Sequence, residues 1–175
     1  MSLEKRAFPI KLILSDIDGV LTDGSIEISH DAHESKRFST LDGYGIRLWQ
    51  QAGYKMGLIT GRDSPCIYHR AKNLGIGIIR AGTFAKWEAV IEIADELNLS
   101  VSEIAFIGDD YPDLPAIRAV GLGVTVPHAP QELKNAAEYI TQRAGGYGAV
   151  RDLIDQILKV KGILPEEMLH SIAPI

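Results

Sequence analysis

Ile10-Lys11-Leu12-Ile13-Leu14-Ser15-Asp16-Ile17-Asp18-Gly19-Val20-Leu21-Thr22-Asp23-Gly24 begins as a short apolar run and ends in an acidic, glycine-containing loop. An apolar run of this length, closed by turn residues, reads as a buried strand. Outward from it the alternation of strand and helix patterns continues. Tyr44 to Ala52 reads as a helix stopped by Gly53. Lys55 to Ile59 is the next strand. Ser64-Pro65 starts a helix, with Ser as cap and Pro in the first turn, and that helix ends before Gly75. Ile76 to Ile79 is a strand. After Lys86, the residues Trp87, Val90, Ile91, Ala94 and Leu97 share one helical face. Ile104 to Ile107 is a strand, followed by a short helix and the strand Leu122 to Val126. Val150, Leu153, Ile154, Ile157 and Leu158 mark a last helix.

Strands alternating with helices imply an α/β fold, a Rossmann-like parallel sheet with helices on both faces. Ligands of such sheets sit outside the carboxyl ends of the strands. Three of the strands end in reactive residues: Asp16, Thr60 and the pair Asp109-Asp110. Lys86 opens the helix after a fourth. Ser25 to Phe38 breaks the pattern. Ile26 and Ile28 alternate with polar residues, as in a β-hairpin projecting beyond the sheet. Residues 1–160 are expected to form one domain with the hairpin (25–38) as a flap, and 161–175 a C-terminal tail.

The bulk numbers narrow the function. A chain of 175 residues buries roughly 70% of its unfolded surface and can carry its own core. Eighteen Lys and Arg against 23 Asp and Glu give a net charge of −5, which argues against a nucleic-acid partner. An acidic chain that handles an anion must concentrate positive charge locally. The apolar runs fall short of the ~20 residues that span a bilayer, no signal-peptide stretch opens the chain, and a single cysteine, Cys66, allows no internal disulfide. No membrane partner and a cytoplasmic location are the expectation. The five histidines lack a trustworthy metal-ligand spacing; His30 and His33 read as solvated residues of the hairpin turn, and Cys66 as a packing residue.

Four segments carry chemistry. In Asp16-x-Asp18 one carboxylate can attack phosphorus in line. The other can protonate a departing alkoxide and then deprotonate water. Thr60-Gly61-Arg62 offers a small hydroxyl beside close-approaching backbone, which suits a phosphate oxygen. Its arginine offers a forked contact to a carboxylate or phosphate. Lys86 can neutralise charge on a phosphoryl group, although alone it reads as a surface lysine near Glu88. Asp109, Asp110 and Asp113 bring carboxylates to a strand end, and Mg2+ needs few of them because it keeps several waters.

In this order the four segments resemble the haloacid dehalogenase superfamily, whose HAD-like core this sheet would be. The resemblance implies Asp16 as nucleophile and Asp18 as general acid/base. It implies Mg2+ held by Asp16, Asp109 and the backbone carbonyl of Asp18, with Thr60 and Lys86 on the phosphoryl group. Asp110 and Asp113 would stand behind these, Asp113 orienting Lys86 or the waters of the metal. The intervals from Asp16 to Thr60 and from Thr60 to Lys86 leave room for a hairpin but no cap domain. The chain is most similar to the capless 3-deoxy-D-manno-octulosonate 8-phosphate phosphatases, from about Lys11 to Lys159. The shared segments include Lys36-Arg37-Phe38, Asp42-Gly43-Tyr44-Gly45-Ile46-Arg47, Thr60-Gly61-Arg62, Arg70 and Gly145-Gly146-Tyr147-Gly148-Ala149-Val150-Arg151. By this resemblance the substrate, a sugar-acid phosphate, meets Ser39, Thr40, Leu41, Asp42 and Gly43, with Arg47, Arg62, Arg70 and Lys86. A homotetramer follows, in which the hairpin and tail close a neighbour's site. Tyr147 stands where the family often has arginine, which bears on the contact made by the tail.

Three alternatives frame this reading. A nine-carbon sialic-acid-type 9-phosphate is the runner-up substrate, and Arg62 and Arg47 favour the eight-carbon one. A receiver-type signalling domain also uses Asp, Thr, Lys and Mg2+, but in another order and without the second Asp of Asp16-x-Asp18. A catalytically idle scaffold is disfavoured by the intact motif set.

Overall fold

The computed structural model describes residues 2–163 and Glu166. In chain order the elements are α1 (Leu3–Ala7), β1 (Leu12–Ser15), β2 (Glu27–Ile28), β3 (Glu34–Ser35), α2 (Thr40–Gln51), β4 (Lys55–Ile59), α3 (Pro65–Leu74) and β5 (Ile78–Arg80). They continue with α4 (Lys86–Leu97), β6 (Ile104–Gly108), α5 (Leu114–Ala119), β7 (Leu122–Thr125), α6 (Gln131–Ala136), β8 (Tyr139–Ile140) and α7 (Ala149–Val160). Single 3-10 turns lie at Val101–Glu103 and Tyr111–Asp113.

Six strands pair in parallel in the order β5-β4-β1-β6-β7-β8. Strand β1 is central, and Leu12, Ile13 and Leu14 are fully buried. A strand covered on both faces has no use for alternating polar residues, which is why this one reads as a continuous apolar run. The helices pack in two groups: α2 with α7, α3 and, through α7, α1; and α5 with α4 and α6. Right-handed crossovers place one group on each face of the sheet. The order reverses beside β1, since β4 lies on one side and β6 on the other. A crevice forms at such a point. Ser15 pairs with Leu58 on one side and with Ile107 on the other. The residues after these, Asp16, Thr60 and Asp109, therefore leave the sheet at one rim.

Some elements differ from the expectation. Helix α2 starts at Thr40, a turn earlier than Tyr44, with Ser39 as N-cap accepting the N–H of Leu41 at 3.1 Å. Gly43 weakens the helical pattern locally, and it lies against α3: a Cβ there would lie 2.6 Å from Nη2 at the end of the Arg70 side chain. Strand β5 is shifted to Ile78–Arg80. The hairpin ladder is only two residues a side, Glu27 with Ser35 and Ile28 with Glu34. An isolated ribbon is marginal in water, and Ile26 and Ile28 are exposed, so its apolar alternation has no core to bury in. Helices α1 and α6 and strand β8 carry too few residues to show a period.

Phe106 sits fully buried on β6, beneath the site. Phe106→Ala is expected to cost about 3–5 kcal/mol of stability, read as a lowered denaturant midpoint with little change in slope.

Candidate active site

The rim of the sheet opens into a cleft of about 260 Å³. Asp16, Asp18, Thr60, Gly61, Arg62, Lys86, Asp109, Asp110 and Asp113 all line it, with Phe84 at its mouth. Four motifs far apart in sequence thus share one space because each follows, or opens, an element ending at the same edge.

Asp16 follows β1, its N–H donating to the Ile107 carbonyl at 2.9 Å. Its Oδ1 accepts the N–H of Ile17 at 2.7 Å. Its Oδ2 lies 2.9 Å from Lys86 Nζ. Lys86 is the first residue of α4, where the helix dipole disfavours a cation, and it is buried. Two carboxylates compensate, Asp16 and Asp113, the latter at 2.5 Å. Burial opposes the lysine charge, but Asp16 and Asp113 outweigh it and hold the ammonium above its ordinary pKa. Asp113 is fully committed: Oδ1 takes Lys86, and Oδ2 accepts the N–H groups of Asp109 and Asp110 at 3.0 and 3.2 Å. Asp110 caps the 3-10 turn with its own carboxylate on the Tyr111 N–H. Thr60 is buried at the end of β4, and its Oγ1 accepts the N–H of Arg62 at 3.2 Å.

Oxygens of Asp16, Asp109 and Asp113 lie within 4.8 Å of one another. One ammonium faces these three carboxylates, leaving negative charge uncompensated. Burial, followed by Asp16 and Asp113, pushes the Asp109 carboxyl up to about 8. Burial, with Asp113 adding to it and Lys86 opposing, pushes Asp16 up to about 6. Gly19 adopts φ +86°, and a Cβ there would fall inside the Asp109 carboxylate, so the loop after Asp18 is shaped around that group. An all-oxygen donor set with excess negative charge fits a hard divalent cation such as Mg2+.

Asp18 is held by a residue that the sequence reading did not single out as a site residue. Lys36 Nζ contacts Asp18 Oδ1 and lies 3.0 Å from Glu34 Oε1. Glu34 Oε2 in turn accepts from Arg62 Nη2 at 2.9 Å. The signal was present in Lys36-Arg37-Phe38, but a hairpin lysine alone says nothing of its target.

The other expected substrate residues do not line this cleft. Asp42 is buried and accepts the N–H of Arg151 at 2.8 Å, at the start of α7. Burial pushes its carboxyl up to about 6, against the pull of the Arg151, Gly148 and Val150 N–H groups. Its visible role is to join α2 to α7. Arg70 Nη2 donates to the Ser39 carbonyl at 3.0 Å, and its guanidinium stacks over Phe38. Arg47 Nη2 donates to the Asn73 carbonyl at 3.0 Å. Ser39, Thr40, Leu41 and Gly43 form the cap and first turn of α2. These residues make a second group beside α3. Tyr147 is exposed, in a loop whose Gly146 N–H donates to Val20 O at 3.0 Å.

A parallel sheet whose strand ends bring together Asp16, Asp18, Thr60, Lys86 and Asp109 defines a haloacid dehalogenase-like hydrolase, and that family matches residues 76–154. The chain is 37% identical over 167 residues to the 3-deoxy-D-manno-octulosonate 8-phosphate phosphatase of Escherichia coli K12, covering 95% of this chain and 89% of the relative. The crystal structure of the Moraxella catarrhalis phosphatase of that name, in complex with magnesium, phosphate and a KDO molecule, superposes with a TM-score of 0.90 at 39% identity and covers 91% of both chains. The cobalt-bound form of the Haemophilus influenzae phosphatase superposes with a TM-score of 0.87 at 35% identity, covering 90% of this chain and 92% of that one. The chain belongs to this family of 3-deoxy-D-manno-octulosonate 8-phosphate phosphatases, which are phosphoric monoester hydrolases.

A carboxyl whose pKa is higher in the folded than in the unfolded chain keeps a proton that the unfolded chain has lost. Stability then falls as pH rises between the two values. Asp16 and Asp42 complete this by about pH 6, while Asp109 continues to about 8. The ion-free protein is expected to lose thermal stability from pH 6 to 8, and saturating Mg2+ to remove most of that loss by replacing the proton. Thermal unfolding at several pH values, in chelator and in Mg2+, measures this. Parallel profiles in the two conditions would contradict the site.

Proposed function

We propose that this protein is a Mg2+-dependent phosphatase of 3-deoxy-D-manno-octulosonate 8-phosphate, releasing the sugar acid and phosphate through an aspartyl-phosphate on Asp16. The observation that carries the reading is the convergence of Asp16, Lys86, Asp109 and Asp113 on one divalent-cation site beside Asp18. Membership in a family named for that reaction supports the choice of substrate.

In the first displacement a carboxylate oxygen of Asp16 bonds to phosphorus, and the bond from phosphorus to the sugar oxygen breaks. Asp18 gives its proton to that oxygen, which would otherwise leave as a poor alkoxide. In the second, Asp18 takes a proton from water, the water oxygen bonds to phosphorus, and the carboxylate of Asp16 is released. The Thr60 hydroxyl and Lys86 ammonium hold the phosphoryl oxygens, and Asp113 keeps Lys86 in place. Asp16, Asp109 and the Asp18 carbonyl would hold a Mg2+ ion, which would offset the negative charge of nucleophile and phosphoryl group. Arg62 lies on the same cleft and takes the substrate carboxylate through a charge-assisted hydrogen bond.

The wider assembly is part of the proposal. Ser39 to Gly43, Arg47 and Arg70 stand off the cleft of their own chain. We place them, with the tip of the hairpin between β2 and β3, at a neighbour's site in a cytoplasmic homotetramer, where a partner supplies the lid that a capless enzyme lacks. The tail 161–175 belongs to the same proposal and lies largely outside the described residues. No helix among the described residues is long and apolar enough to cross a membrane.

Purified protein assayed on the eight-carbon and nine-carbon sugar-acid phosphates tests the substrate directly. The eight-carbon ester should be strongly preferred, with turnover lost in chelator; the opposite preference would replace the substrate. Asp16→Asn should lower turnover by more than about 10³-fold. Its folding should be kept, because the change removes a buried negative charge. Asp18→Asn should slow formation and breakdown of the phosphoenzyme by about 10²–10⁴-fold each, as seen by rapid quench. Slowing of only one step would remove the dual acid/base role.

A further inference from the structure

The hairpin reaches back over the site of its own chain through charge rather than apolar contact. Lys36 has a completely buried side chain. A buried ammonium needs close countercharge, and two carboxylates provide it, Asp18 and Glu34. Glu34 also binds Arg62 through Nη2, while Arg62 Nε lies 3.9 Å from Asp18 Oδ2. Two cations and two anions form a closed, balanced ring joining the hairpin, the loop after β1 and the loop after β4. The Glu34 carbonyl accepts from Cys66 Sγ at 3.2 Å, which seats the same residue against α3. The hydrogen bond from Arg62, ahead of Lys36, holds the Glu34 carboxyl below its ordinary pKa.

From this ring we infer that Glu34 is a positioning residue for Arg62. It grips one nitrogen of the guanidinium and leaves Nη1, which has no protein partner among the described residues, to meet an anionic group of the substrate in the cleft. An unrestrained arginine side chain loses much rotamer freedom on binding, and fixing it beforehand removes that cost from substrate affinity. Glu34 shares Lys36 with Asp18, so the lysine charge is not spent on the acid/base residue alone. This inference rests on the proposed role of Arg62 toward the substrate carboxylate.

A mutant cycle on KM tests it in the full chain, with the eight-carbon sugar-acid phosphate and saturating Mg2+. Arg62→Ala should raise KM. Glu34→Ala should raise KM about tenfold, the scale of one strong pairwise coupling; KM is the readout because Glu34 also shares Lys36 with Asp18, so kcat is free to change. The double variant should be no worse than Arg62→Ala, since Glu34 acts through Arg62. Glu34→Gln, which keeps an acceptor and the side-chain volume, should recover part of the loss and serves if the alanine variant folds poorly. A raised KM in Arg62→Ala beside an unchanged KM in both Glu34 variants overturns the inference alone. So do additive effects on KM, or a lowered KM, which would make Glu34 a competitor of the substrate. An unchanged KM in Arg62→Ala overturns the reading of Arg62 beneath it.

Discussion

Crowded carboxylates at the rim of a parallel sheet are the constraint on which the rest of this molecule turns. Asp16, Asp109 and Asp113 are brought within 4.8 Å of one another, largely out of water. Such an arrangement is costly unless positive charge enters it. Lys86 supplies one unit, at a helix start where its own dipole works against it. The imbalance that remains is what makes the site a cation trap. Burial first, and the crowding of like charge after it, raise the carboxyl pKa values of Asp16 and Asp109.

The scaffold serves this crowding in specific ways. Register places Ser15 between Leu58 and Ile107, so the residues that follow emerge together. Gly19 gives up its side chain to make room for Asp109. Asp113 spends both oxygens on Lys86 and on the backbone of the turn that carries Asp109. The hairpin, which has no core of its own, is tied down by Lys36 and Glu34 on Asp18 and Arg62. One chain thus carries an ionic tie between its hairpin and Asp18.

What could be read from the residues follows the range of the interactions. Asp16, Thr60 and Asp109 were legible because strand ends in an α/β sheet must meet at one edge, and apolar runs mark the strands. Lys86 became legible only through its company, since a single lysine beside Glu88 looks like surface. The start of α2 was hidden by Gly43, a weak helix former whose neighbour in space, Arg70, is 27 positions away. The role of Asp42 at the start of α7 was hidden for the same reason: its partner Arg151 lies 109 residues on. Lys36 and Glu34 belonged to a hairpin whose apolar alternation suggested a longer ladder than the two pairs found. Side chains whose partners are distant in sequence leave no periodic trace. In their own chain Arg47 holds the Asn73 carbonyl on α3, and Arg70 the Ser39 carbonyl at the start of α2.

The most direct measurement is the position of the ion. Crystals grown with Mn2+ in place of Mg2+ give an anomalous signal that locates the metal independently of any model. The account predicts one strong peak per chain, between the carboxylates of Asp16 and Asp109. A peak elsewhere, or none at this rim with the cation in excess, would contradict it.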